Sequence, residues 1–258
     1  MSDATEPTTV EIIAHRGASH DAPENTLESF QLGWKQEADA VELDIMLSKD
    51  GRVVVIHDPN TKRLAGVDRP VLEQTFDELR LLDVGRWKDA RFAETRIPLF
   101  SDVLASIPEG KRLFIEIKSG SEILPELKRE LDAAHRQPAQ TAIIGFSSKT
   151  MADAKRAFPE LQVYWIVDIK PNPKTGKTSP TAEELIREAK AAAVDGLDLS
   201  AYETIDRAFA SKVRDAGLKL AVWTVNDPQL ARQMIQAGVE GLTTDRPGWM
   251  REQLKKSE

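Results

Sequence analysis

The chain has 258 residues, a formal net charge of −7 and no cysteine. Its length suits one large domain or two small ones, its acidic balance without a Lys/Arg-rich block argues against nucleic acid as a partner, and the missing thiols exclude disulfides, zinc–thiolate centres and cysteine nucleophiles. No apolar run approaches the roughly 18 residues of a membrane span, and the polar stretch 1–9 reads as a tail rather than a signal or transit peptide, so a cytoplasmic location is expected.

From residue 10 onward strand-like and helix-like segments alternate. The first apolar run, 10–15, ends at His15-Arg16, and a helix is expected over 25–36, with Asn25 and Glu28 as a capping box. In the second run, 40–47, Glu42 and Asp44 lie two residues apart and so share one face of a strand. Asp50-Gly51 is a strong hairpin signal. A two-residue loop there pairs Lys49 with Arg52 and sets Asp44 across from His57. Residues 59–98 interrupt the rhythm and are too long for a plain strand-to-helix loop. Phe76, Leu79, Leu81, Leu82, Val84 and Trp87 give this insertion enough apolar surface to pack as a small cap.

Further strands are expected near 113–118, 141–146, 162–167, 196–199, 219–225 and 241–244, and helices near 101–107, 123–135, 150–158, 181–192, 205–216, 228–237 and 247–256. Ser101, Asn226-Asp227-Pro228 and Asp245-Arg246-Pro247 mark helix starts. Eight strands alternating with helices are the pattern of an α/β barrel, here forming one domain over 10–258 with an insertion after its second strand. In the long connection 168–180, Gly176-Lys177-Thr178 lacks the upstream glycine that a P-loop requires, because that position is Pro171.

Such barrels carry their sites at the C-terminal ends of the strands. His15 and Arg16, Glu42 and Asp44, and Glu116 and Lys118 all fall there. Three inward carboxylates sharing a low-dielectric mouth need large pKa shifts or a cation. A hard divalent ion, Mg²⁺ or Ca²⁺, takes oxygen ligands alone. Arg16 and Lys118 then seat a phosphate, and His15 and His57 supply a general acid and a general base. Phosphoryl-ester cleavage uses all of these.

In order along the chain, His15-Arg16-Gly17, Pro23-Glu24-Asn25-Thr26, Glu42-x-Asp44, Lys49-Asp50-Gly51, His57-Asp58, Ile97-Pro98-Leu99, Glu116-Ile117-Lys118, Trp223-Thr224-Val225-Asn226 and Thr244-Asp245-x-Pro247 resemble the signature of glycerophosphodiester phosphodiesterases. The resemblance covers about residues 10 to 250. It implies a TIM (β/α)8 barrel with a family insertion after strand two, and hydrolysis of glycerophosphodiesters to an alcohol and sn-glycerol 3-phosphate. It also implies Glu42, Asp44 and Glu116 as ligands of a divalent cation (Mg²⁺ or Ca²⁺, with Mn²⁺ as an option), His15 and His57 as the acid/base pair, and Arg16 and Lys118 as phosphate clamps. Attack by water and attack by the substrate's own glycerol hydroxyl both fit these residues.

Several of these residues also have plainer readings. Glu24-Asn25-Thr26 reads as a cap of the first helix, Asp245 as a helix cap, Trp223 as a wall of the barrel mouth within reach of substrate, and His20 and His135 as solvated. Two alternatives use the same architecture: a phospholipase-like barrel acting on lysophospholipid or inositol phosphodiesters, marked by an apolar rim, and a barrel that binds glycerophosphodiesters without cleaving them, marked by loss of a histidine or a ligand. Headgroup choice is expected to lie in 59–98 and in the 168–180 loop with Lys170, Lys174 and Lys177.

Overall fold

In the computed structural model, residues 10–256 are described except 173, 175 and 177. Eight parallel strands close a barrel: β1 (Glu11–Ala14), β2 (Ala40–Leu47), β4 (Arg112–Ile117), β5 (Thr141–Gly145), β6 (Gln162–Val167), β9 (Gly196–Ser200), β10 (Lys219–Trp223) and β11 (Gly241–Thr244). The ring runs β1-β11-β10-β9-β6-β5-β4-β2 and shuts where β1 pairs with β2. The expected strands thus all form, with ends displaced by a residue or two. The remaining strands are β3 (Val53–Val55), antiparallel to β2, and the short pair β7 (Lys170–Pro171) and β8 (Thr178–Ser179).

Alternation within the strands divides the core in two. Val41, Leu43 and Ile45 of β2, with Leu113, Ile115 and Ile117 of β4, point outward into the layer shared with the helices. Ile13, Ala40, Phe114, Ala142, Ile144, Tyr164 and Ile166 fill the barrel itself. The outer helices are α1 (Leu27–Lys35), α4 (Phe100–Ser106), α5 (Leu124–Ala134), α6 (Ser148–Ala157), α7 (Ala182–Ala191), α8 (Arg207–Asp215), α9 (Pro228–Ala237) and α10 (Pro247–Lys255). Proline occupies the start of both α9 and α10, where its missing N–H costs nothing. Among the described residues no helix is long and apolar enough to cross a membrane.

Three local expectations are corrected. The hairpin loop has three residues, 49–51, with Ser48 N–H donating to Arg52 O at 2.9 Å and Gly51 at φ +75°. A glycine in the left-handed region closes a three-residue loop as readily as a two-residue one. The register therefore pairs Ile45 with Val55, and Ile56 N–H donates to Asp44 O, so His57 lies one residue beyond the position opposite Asp44. Thr26, not Asn25, caps α1, in a box with Ser29 rather than Glu28. Ser101 is not a cap: α4 starts one residue earlier, after Leu99, without a side-chain cap bond.

Residues 59–98 carry α2 (Lys62–Ala65) and α3 (Phe76–Leu79). Leu64, Val71, Leu79, Val84 and Ile97 bury against Met46, Val54 and Ile56 of the hairpin, with Phe76 and Leu82 at the edge. Leu81 and Trp87, expected in this cluster, are exposed instead.

One glycine fixes the loop that carries His15 and Arg16. Gly17 has φ +81°, and a Cβ there would lie 2.4 Å from Ser29 Oγ and 2.5 Å from the Ser29 carbonyl carbon. Gly17→Ala is expected to destabilise by at least about 1–3 kcal/mol, the cost of holding a side chain in that region. An unchanged urea midpoint would contradict this packing.

Candidate active site

A cleft of about 390 Å³ opens at the C-terminal end of the barrel, lined by His15, Arg16, Glu42, His57, Glu116, Lys118, Ile144, Phe146, Ile166, Asp198, Trp223 and Thr243. Seven of the eight residues singled out in the sequence line it. The eighth, Asp44, is fully buried in contact with two of them.

Glu42, Asp44 and Glu116 each offer an oxygen, and the three atoms lie within 4.8 Å of one another. β2 supplies the first two from alternate positions, and register pairs Asp44 with Glu116 on β4. Glu42 Oε2 accepts from the Arg16 backbone N–H at 2.9 Å, while Oε1 is buried without a partner. Asp44 Oδ2 accepts from Asn25 Nδ2 at 2.7 Å and faces Arg16 Nε at 3.2 Å, and its Oδ1 is likewise buried and unsatisfied. Lys118 Nζ contacts Glu116 at 2.7 Å and stands 3.7 Å from Asp44. Burial, and then the charges of Asp44 and Glu116, raise the Glu42 carboxyl well above the usual range. Burial and Asp44 likewise push Glu116 up to about 7, against the pull of Lys118. Orphaned buried oxygens and carboxyls that resist ionisation are what an oxygen-ligated cation would relieve. This cluster could hold a metal ion.

Each cleft histidine is gripped by an aspartate. His15 Nδ1 lies 2.6 Å from Asp245 Oδ1, and His57 Nδ1 lies 2.7 Å from Asp58 Oδ1. Burial would raise the Asp245 carboxyl, but His15, Asn226 and Ser19 together hold it at about 2. Arg63 and His57 do the same for Asp58, also about 2. An ionised carboxylate only accepts, so each Nδ1 carries the hydrogen and leaves Nε2 for chemistry. Burial lowers the His57 imidazole, as do Arg16 and Lys118, while Asp44 and Asp58 oppose the shift.

The plainer reading of Asp245 is overturned, and that of Glu24-Asn25-Thr26 holds for Thr26 alone, which caps α1. Asp245 does not cap α10, whose N-cap is Arg246, but orients His15. Asn226 holds that aspartate in turn, donating Nδ2 to Asp245 Oδ2 at 2.6 Å. Asn25 sits at φ +57°, which asparagine tolerates, and its amide both donates to Asp44 and accepts the Asp44 N–H. Glu24 accepts from Arg16 Nη1 at 2.9 Å and from Arg63 Nη1 and Nη2 at 2.9 and 2.7 Å. Arg63 also donates Nε to Asp58 at 2.5 Å. Helix α2 thereby ties the partner of His57 to the partner of Arg16.

Trp223 is the expected wall, edge-on to Phe146 with ring centroids 5.6 Å apart. His20 is exposed beside Asp21, and His135 follows the end of α5. Lys170 pairs with Asp168 at 3.2 Å, and Lys177 lies outside the described residues. Asp198 was missed. Its signal was an acid on the inward face of an apolar strand, as for Glu42 and Asp44, but standing alone.

Fold and site define the class: a (β/α)8-barrel enzyme with an oxygen-only acidic cluster in its mouth. A model of the glycerophosphoryl diester phosphodiesterase family matches residues 15–249, and the chain belongs to that family. It is 32% identical over 240 residues to a glycerophosphodiester phosphodiesterase of Caldanaerobacter subterraneus subsp. tengcongensis, covering 92% of this chain and 94% of that protein. To one of Bacillus subtilis it is 27% identical over 258 residues, covering 93% and 85%. Among solved structures, an Oleispira antarctica phosphodiesterase in complex with the product sn-glycerol-3-phosphate superposes with a TM-score of 0.85 at 27% identity, covering 95% of this chain and 96% of that one.

Asp245→Asn keeps the shape but weakens the hold on the His15 tautomer. It is expected to lower kcat roughly tenfold or more, part of the 10²- to 10⁴-fold that a positioned acid or base supplies. Wild-type kcat in a folded Asp245→Asn protein would remove Asp245 from the orienting role.

Proposed function

We propose that the protein is a metal-dependent enzyme that hydrolyses glycerophosphodiesters to sn-glycerol 3-phosphate and an alcohol. The observation that carries this reading is one cluster of three buried carboxylates at the cleft, two of them with an unsatisfied oxygen, beside two aspartate-held histidines and the cations Arg16 and Lys118. The product complex of the Oleispira antarctica relative supports the substrate class. A phospholipase-like barrel would want an apolar rim; among the described residues the exposed large apolar ones are Leu72, Leu81, Trp87 and Phe146, and Trp87 lies under Arg63 and Lys88. A purely binding barrel would lack a histidine or a ligand, and this chain keeps both histidines and all three carboxylates.

Glu42, Asp44 and Glu116 would hold a divalent cation, Mg²⁺ or Ca²⁺, which when bound supplies charge neutralisation and Lewis-acid polarisation of the phosphoryl group. Lys118 and Arg16 place positive charge beside the phosphodiester and orient it. Arg16 does so from a guanidinium already fixed by Glu24 and Asp44. One of His15 and His57 takes the proton of the attacking hydroxyl at Nε2, and the other returns a proton to the departing alkoxide. Asp58 and Asp245 accept from Nδ1 of the two rings, so the base presents a free Nε2 and the acid, entering the step as the imidazolium, an Nε2–H.

Release of glycerol 3-phosphate from glycerophosphocholine, glycerophosphoethanolamine and glycerophosphoinositol tests the reaction. Chelation should abolish it, and Mg²⁺, Mn²⁺ or Ca²⁺ should restore it; full turnover in excess chelator would refute the ligand assignment. His15→Ala and His57→Ala should each lower kcat by roughly 10²- to 10⁴-fold. A folded variant at wild-type kcat would drop that histidine from the mechanism.

Stability offers a test independent of turnover. With Glu116 at about 7 when folded and 4.5 ordinarily, the metal-free native state holds more protons than the unfolded chain between those values. The resulting penalty is absent below about 4, grows as pH rises, and is complete above about 7. A divalent cation that neutralises the cluster should therefore raise Tm more at pH 8 than at pH 5. An equal rise at both would detach the cation from Glu116.

A further inference from the structure

Asp198 takes no part in the proton transfers above, yet it is 3% exposed and lines the cleft. It stands on β9, four strands from β2 in either direction around the ring and so across the barrel from Glu42 and Asp44. Its surroundings are apolar: Ile166 on β6 is its register partner, Ile144 lines the same cleft, and the Trp223 indole packs over its strand, with Nε1 donating to the Asp198 carbonyl at 3.2 Å. Its Oδ1 is buried with no hydrogen-bond partner. A buried carboxyl left unsatisfied is costly and calls for a partner that arrives from outside.

We propose that Asp198 is a specificity-determining residue that hydrogen-bonds a hydroxyl of the substrate's glycerol moiety at the deep, apolar end of the cleft. This rests on the diesterase reading. The phosphate is drawn to the Arg16, Lys118 and carboxylate side, which leaves the three-carbon skeleton to run along Ile144, Ile166 and Trp223 towards Asp198. Burial, and then the charge of Glu116, push the Asp198 carboxyl up to about 8, so near neutrality it is a donor. Ionised, it would accept. A hydroxyl answers both forms, whereas a phosphate oxygen would be repelled by the ionised one.

The experiment compares wild type, Asp198→Asn and Asp198→Leu on three substrates. These are glycerophosphocholine, glycerophosphoinositol and bis(4-nitrophenyl) phosphate, which has no glycerol. Asp198→Leu is expected to lose about tenfold or more in kcat/KM on both glycerol substrates, the scale of one hydrogen bond, and to keep wild-type kcat/KM on the aryl diester. Inhibition by glycerol 3-phosphate should weaken by the same factor, and inhibition by inorganic phosphate should stay unchanged. Asp198→Asn, which retains a donor and an acceptor, should remain within a few-fold throughout. Equal loss on all three substrates would make Asp198 a structural residue and overturn the proposal. Loss confined to the choline substrate would overturn it in favour of headgroup recognition. If Asp198→Leu fails to fold, Asp198→Asn with full affinity for glycerol 3-phosphate supports the subsite, and wild-type inhibition constants in Asp198→Ala oppose it. Wild-type protein that cleaves the aryl diester but no glycerophosphodiester would fail the diesterase reading itself and take the subsite with it.

Discussion

The constraint on which this structure depends is electrostatic: three carboxylates are buried at one end of a barrel, where mutual repulsion and lost hydration both oppose ionisation. Nearby polar groups are arranged around that conflict. Arg16 gives its backbone N–H to Glu42 and its guanidinium to Asp44, Lys118 spans Glu116 and Asp44, and Asn25 turns into a left-handed conformation to put its amide on Asp44. These contacts leave Glu42 Oε1 and Asp44 Oδ1 without a hydrogen bond. The folded chain alone cannot satisfy its own site, which is a physical reason for the site to take up a cation.

The insertion between β3 and α4 is therefore more than a cover. Its hydrophobic cluster fixes α2 against Met46, Val54 and Ile56 of the hairpin, and α2 presents Arg63 to Glu24 and Asp58 at once. A guanidinium fork suits two carboxylates where an ammonium would not. Through those two acids, one residue of the insertion bears on both the orientation of the His57 ring and the position of the Arg16 head group. Packing in the insertion is thus tied to the geometry of the cleft.

How much of this was legible in the sequence follows from what each feature depends on. Strands and helices were readable because burial imposes a period of 2 or 3.6 on the chain itself, and Glu42, Asp44, Glu116 and Lys118 stood out as polar interruptions of that period. The hairpin register was not readable, because Asp50-Gly51 allows loops of two or three residues and the choice lies in the φ of Gly51 and the Ser48 bonds to Asp50 and Arg52. Asp245 and Asn25 were read as caps because their residue types suit caps. Only the closed barrel shows that their side chains turn inward, 230 residues from His15 in one case and 19 from Asp44 in the other. Asp198 carried the same polar-in-apolar signal as the three ligands, but without a neighbouring motif to single it out.

The two histidines owe their orientation to different parts of folding. His57 finds Asp58 next to it in the chain, so that pair needs only the turn at the end of β3 and the hold of Arg63. His15 meets Asp245 across the seam where β1 pairs with β11, from Glu11 beside Gly241 to Ala14 beside Thr244. Its hydrogen bond exists only once the last strand is in place, and Asn226, from the loop after β10, holds the aspartate there. Closure of the barrel is thus itself a condition of the proposed acid/base chemistry: the carboxylate cluster, both cations and the His57–Asp58 pair lie on earlier elements, whereas the His15–Asp245 pair needs the last strand.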